Sequence, residues 1–201
     1  MNKFTVSVLL TACFPVLVWA TIYDDGIRLL NAKSYVKASK ASKAFAAAAK
    51  DGNSAAERQL AFMYYRGLGF KQDNAKAVAL FEMAANHGDL ESQVNLGTMY
   101  ENGLSVEQSD VQSGHWFRLA AEQGHRKSQF RFGEICFLGQ GVPRDYAEAT
   151  KWWDLAMRMD DDTTRQMLAM IQPVMAKITT ETLEEGRRRA NRWVAARASG
   201  L

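Results

Sequence analysis

The chain has 201 residues, 47% of them apolar and 23% charged, with a formal net charge of +3. That is one ordinary domain's worth of chain, and a charge so near balance steers no particular partner. It holds two cysteines, one of them in the first 20 residues; if that segment is removed, Cys136 stands alone and no intramolecular disulfide can form.

The N-terminus is distinct from the rest. Lys3 is followed by an uncharged run from Phe4 to Trp19, and Val18-Trp19-Ala20 places small residues where a signal peptidase reads. The pattern predicts a secretory signal over residues 1–20, cleaved after Ala20. An uncleaved membrane anchor is disfavoured, because the run falls short of about 20 apolar residues and contains Pro15. Leu10-Thr11-Ala12-Cys13 also fits a bacterial lipobox, in which Cys13 would be lipidated. Against that reading, Phe14 to Trp19 stays apolar where the mature side of such a site is usually polar.

From residue 21 the chain reads as helices. An opening unit over residues 21–52 combines a helix from Asp24 to Ser34 with a second carrying Ala41, Phe45, Ala48 and Ala49. Three copies of a 36-residue unit follow, at 53–88, 89–124 and 125–160, marked by Gly52, Gly88 and Gly124 and by Gly67, Gly103 and Gly139. A fixed period of this length signals a stacked repeat. Leu60, Leu96 and Phe132 share a column, as do Ala61, Gly97 and Gly133, and Tyr64, Tyr100 and Cys136. In the other half of the unit Phe81, Phe117 and Trp153 align, as do Ala84, Ala120 and Ala156.

Each unit reads as two antiparallel helices. Ala56, Leu60, Tyr64 and Gly67 keep small and apolar groups on one helical face, and the glycines after them close the helix in a left-handed conformation. Asp73, Ser109 and Asp145 are predicted N-caps of the second helices. The predicted fold is an all-α solenoid of antiparallel helix pairs. Residues 161–201 form the closing helices, with Leu168 and Ala169 on the Phe132 and Gly133 columns until Pro173 stops the pattern. In the last helix, capped by Thr179 or Thr180, Glu181, Glu184 and Glu185 precede Arg187, Arg188, Arg189, Arg192 and Arg197. That order complements the helix dipole, and Glu184–Arg188 and Glu185–Arg189 add support at i, i+4. Leu183, Ala190, Trp193 and Val194 are expected to dock this helix on the last repeat. Its arginines form either a solvated face or a patch for an anionic surface.

Leu96-Gly97-Thr98-Met99-Tyr100, Ala120-Ala121-Glu122-Gln123-Gly124-His125 and Gly139-Gln140-Gly141-Val142-Pro143-Arg144-Asp145 resemble the Sel-one-like repeat family, a relative of the tetratricopeptide repeat. The resemblance covers about residues 24–172. It departs at Gly103-Leu104-Ser105 and at Cys136, and the lack of paired cysteines separates the chain from the family's disulfide-rich branch. The resemblance implies a binding module whose first helices line a concave face. The stripe opposite the core then contains Gln59, Phe62 and Arg66, then Asn95, Thr98 and Asn102, then Arg131, Glu134 and Leu138. These nine are the predicted contact residues.

Catalytic motifs are missing: no HExxH, GxSxG, phosphate-binding glycine loop or Cys-x-x-Cys is present. Ser34-Tyr35-Val36-Lys37 matches the loose Ser-x-x-Lys string without its partner motifs. His87 and His125 flank helix-ending glycines and His115 is placed at a helix start, so no shared metal site is predicted. Cys136 is expected to be a buried, inert thiol. The expected function is a non-enzymatic scaffold or adaptor of the bacterial cell envelope, exported to the periplasm. Its partner would be another protein, an envelope component, with cell-wall glycan as a second candidate. No nucleic acid, cofactor, metal or small-molecule substrate is expected. A peptidoglycan- or β-lactam-linked hydrolase and a membrane-tethered lipoprotein adaptor are the alternatives.

Overall fold

The computed structural model describes residues 35–159 and 161–200. The signal segment, Cys13, the expected Asp24–Ser34 helix and Ser34 itself lie outside the described residues. Within them the chain forms nine α-helices and no strand: α1 (Tyr35–Lys50), α2 (Ser54–Arg66), α3 (Asn74–Asn86), α4 (Leu90–Asn102), α5 (Asp110–Glu122), α6 (Arg126–Leu138), α7 (Tyr146–Ala156), α8 (Asp162–Met175) and α9 (Thr180–Ala198). The fold is the all-α solenoid the periodicity predicts, and the chain divides into two compact units whose boundary, between residues 92 and 93, falls in the first turn of α4.

In the first unit α2 packs between α1 and α3. Ala41, Phe45, Ala48 and Ala49 are buried, as the upstream extension of the rhythm requires, and they join Ala56, Leu60 and Met63 in one core. Asn53 caps α2, its side chain accepting from the Ala56 N–H at 2.9 Å. At the other end Gly67 adopts φ +67°, and the Leu68 N–H donates to the Met63 carbonyl at 2.8 Å. That pairing satisfies carbonyls which the end of a helix would otherwise strand. Asp73 caps α3 through the Lys76 N–H at 3.0 Å, as predicted.

The second unit repeats these devices. Ser109 caps α5 and Asp145 caps α7. Its core gathers Phe117, Phe132, Cys136, Trp152 and Trp153. Here the small columns explain themselves: a Cβ on Gly97 would lie 2.9 Å from the Phe117 ring, and one on Gly133 would lie 2.5 Å from the Trp153 ring. Ser105 stands where the other loops have Gly69 and Gly141, and it keeps their left-handed backbone at φ +63°. The departure from the family pattern is absorbed at a local cost of about 1–2 kcal/mol.

The closing helices depart from the expected register. Thr164, Met167 and Ile171 form the buried face of α8, whereas Leu168 and Ala169 are exposed. The helix is rotated by about one residue relative to the repeat columns, because it closes the stack and needs only one apolar face. Its start is held by Arg126, which bonds both Asp161 carboxylate oxygens at 2.5 and 2.7 Å and the Ala156 carbonyl at 2.7 Å. Pro173 lies inside α8, which runs on to Met175. Its ring removes the N–H that would bond the Ala169 carbonyl, a loss that weakens a helix, and α8 ends two residues later.

Helix α9 packs against α7. Ala190 is fully buried and Trp193 meets Trp152 edge-on at 6.0 Å, as expected of docking residues. Leu183 is half-buried, but Val194 is exposed and takes no such part. The closest approach belongs to Gly186, where a Cβ would collide with the Thr150 hydroxyl. Arg189 fixes the pair, donating to Asp145 at 2.9 Å and Glu148 at 3.3 Å. The predicted Glu184–Arg188 and Glu185–Arg189 pairs form, at 3.8 and 3.1 Å. Arg188, Arg189 and Arg192 converge on Glu185, which lowers its carboxyl to about 2. Arg197 donates to the Glu122 carbonyl at 2.6 Å and covers the Trp193 ring. Most of the arginine cluster is therefore paired within the molecule.

Candidate functional site

The predicted stripe is set out by the first helices α2, α4 and α6, with differing freedom in each copy. On α2, Arg66 is exposed while Gln59 and Phe62 are half-buried. The Phe62 ring meets Phe81 edge-on at 5.0 Å, which ties it to the core. On α4, the Thr98 hydroxyl donates to the Val94 carbonyl at 3.0 Å and the Asn102 amide to the Thr98 carbonyl at 2.9 Å. Both remain exposed, and Asn95 is half-buried.

On α6, Arg131 donates to Glu101 at 2.6 Å and to Glu134 at 2.8 Å, so the guanidinium links α4 to α6. Burial works against its charge, but the Glu134 and Glu101 carboxylates outweigh that and raise it above the ordinary guanidinium range. Arg131 and Glu134 are thus a structural pair, and Leu138, 47% exposed, is the freest apolar group of the stripe. A polar hollow of about 170 Å³ beside Arg131 is lined by Glu101, Gln108, Ser113 and Gln140.

A larger cleft, about 480 Å³, lies elsewhere in the second unit, and none of the nine predicted residues lines it. One wall is α5, which presents His115 and Arg118; the other is the start of α7, with Asp145 and Glu148. Phe132, Cys136, Val142 and Pro143 make the floor apolar. His115 is the sixth residue of α5 and so sits within the helix, not at its start. The helix begins at its Ser109 cap, and the residues between leave His115 more than a turn inside. Burial, aided by Glu148 and Asp145, pushes the Cys136 thiol up to about 12. Its thiolate is therefore scarce at neutral pH, which suits the expected inert role.

The acidic wall is already engaged. Asp145 caps α7 and takes Arg189, while Glu148 accepts from Lys151 at 2.7 Å and from the Trp152 indole at 2.8 Å. Arg118 has a looser partner, Glu122 at 3.8 Å, with about half of each side chain exposed. Among the described residues no three His, Cys, Asp or Glu side chains converge as a metal would need, and none of their helices is long and apolar enough to cross a membrane.

Sequence reasoning missed one buried polar column. Glu57 is fully buried, with one oxygen 2.9 Å from His87 Nδ1 and the other without a partner among the described residues. One period on, the same positions hold Gln93 and Gln123, joined at 2.8 Å. Packing alone therefore does not explain every repeated position. The signal was present as the column Glu57, Gln93, Gln129, three polar residues on a face otherwise assigned to the core.

The caps, glycines and aromatic columns recur together as one motif. Three copies of the Sel1 repeat match, at residues 54–89, 90–125 and 126–161. The chain belongs to the Sel1 repeat family. Among solved structures it is similar to a protective antigen of uropathogenic Escherichia coli strains that displays an SLR fold, with a TM-score of 0.70 and 23% identity. That likeness covers 87% of this chain and 38% of the antigen, so this chain spans well under half of that protein. It is also similar to a Sel1 repeat protein from Oxalobacter formigenes, with a TM-score of 0.57 and 28% identity over 63% of this chain and 95% of that one. No curated protein matches the sequence. Sel1 repeat proteins are generally non-enzymatic protein-interaction scaffolds, and the hydrolase alternative is not favoured.

Proposed function

We propose that this Sel1 repeat chain is a non-enzymatic scaffold or adaptor of the bacterial cell envelope that holds another protein. One observation carries the reading. The constant alanine column Ala84, Ala120 and Ala156 is buried at 0% exposure, while the stripe positions are exposed or half-exposed and, apart from the amides Gln59 and Asn95, change chemistry from copy to copy. A surface that varies over a constant frame suits recognition of a particular partner. Export through residues 1–20 accounts for the apolar run after Lys3, and places the partner among periplasmic components.

The test is mild cross-linking of the chain in intact envelopes, comparing wild type with Asn102→Arg and Leu138→Glu. These positions are exposed, whereas reversing Arg131 would bring three carboxylates together and disturb the fold. A discrete protein adduct lost in the variants at unchanged helicity supports the scaffold. Retention on isolated cell wall without any adduct points to glycan instead. The mass of the mature N-terminus checks export: cleavage after Ala20 is expected, and an intact leader contradicts it.

A further inference from the structure

The cleft between α5 and α7 has a glycine that packing does not require. Gly97 and Gly133 are squeezed by aromatic rings, yet a Cβ on Gly114 would meet Val142 at 3.5 Å and Ile135 at 3.6 Å, ordinary contact distances. The same column holds Val78 and Thr150 in the neighbouring copies. A mid-helix glycine is a poor helix former, and without a side chain here the α5 backbone itself lines the cleft. Its volume falls in the range of ligand clefts, about 300–1,000 Å³.

The charges say what fits. Arg189 and Lys151 neutralise the acidic wall, while Arg118 is held only loosely by Glu122. The attraction the cleft can offer is thus cationic at one wall and apolar at the floor. We propose that it takes a peptide segment of the protein partner in which an acidic residue adjoins an apolar one. The carboxylate would pair with Arg118 beside His115, and the apolar side chain would lie over Gly114. This rests on the scaffold reading and names the chemistry of its partner.

The test titrates the ¹⁵N-labelled chain with N-acetyl-leucyl-glutamate amide, with the leucyl-lysine analogue and a soluble muropeptide as controls. The acidic peptide alone should give saturable shifts at the amides of Gly114, His115, Arg118 and Val142. Arg118→Glu should weaken binding at least about tenfold, since a charge-assisted contact is lost. Gly114→Ala should raise the melting temperature by about 2–4 °C and abolish the shifts. Four outcomes overturn the proposal: no saturable shift, equal shifts with the lysine peptide, undiminished binding by Gly114→Ala, or the muropeptide alone moving these amides. Asn102 and Leu138 do not line the cleft, so failure of the envelope experiment and failure of this one are separable.

Discussion

Helices α5 and α7 stand one repeat apart, carry the same core columns, and meet different surroundings. On α7, the Trp152 indole donates to Glu148 and Gly186 of α9 lies against Thr150. On α5, the corresponding Trp116 indole has no partner among the described residues, and glycine takes the place of Thr150 beside an open cleft. Equivalent framework positions thus lie under a packed helix in one copy and beside an open cleft in the next. What differs is a few copy-specific side chains.

The largest losses are expected in the shared frame. Trp153→Ala should cost about 3–5 kcal/mol, since it empties the space over Gly133. Phe117→Ala should cost a similar amount, and urea denaturation of both variants checks whether the two columns are equivalent. Gly186→Val attacks only the sealed side. Overpacking against Thr150 should cost about 1–3 kcal/mol and loosen α9, visible as lost hydrogen-exchange protection there while α5 keeps its own.

A subtler contrast separates the two indoles. Both changes shrink a buried ring, but Trp152→Phe also removes a charge-assisted bond and should cost about 1.5–3 kcal/mol more than Trp116→Phe, which removes only an unpartnered donor. Equal losses in thermal denaturation would show that the Trp116 indole has an undetected partner.

The smallest effect concerns α6, between them. His125 caps that helix by accepting from the Ser128 N–H at 3.3 Å, which only an unprotonated ring nitrogen can do. Burial, with Lys127 adding to it, lowers His125 below its ordinary 6.5. A depressed histidine binds fewer protons folded than unfolded, so stability is full above 6.5 and falls as pH drops from there toward the folded value. His125→Asn should keep the cap, as Asn53 does in the first copy, and flatten that slope in melting curves taken from neutral to mildly acid pH.

The frame was legible because packing repeats itself. Leu60, Leu96 and Phe132, the alanine columns and the caps Asp73, Ser109 and Asp145 recur under the same local constraint in each copy. The closing segment was not legible in this way. Leu168 and Ala169 sit on the right numbers, but α8 answers to a single neighbouring face and turns Met167 and Ile171 inward. Gly186 carried no periodic signal at all, since its role depends on how closely α9 approaches Thr150. The stripe was identified as a surface, but not the internal commitments of Arg131 to Glu101 and Glu134, which join different helices. The cleft escaped because its walls come from neighbouring repeats, and its decisive feature is a missing side chain at Gly114.

On the proposed function, a protein partner meets this molecule on copy-specific surfaces outside the repeated columns. Site-directed photocrosslinking in the native envelope tests it most directly, with the reactive group placed in turn at Arg118, Leu138 and Gln166, an exposed position on α8 outside both surfaces. A discrete protein adduct is expected from Arg118 or Leu138 and none from Gln166. No protein adduct from either surface, or the same adducts from Gln166, would contradict it.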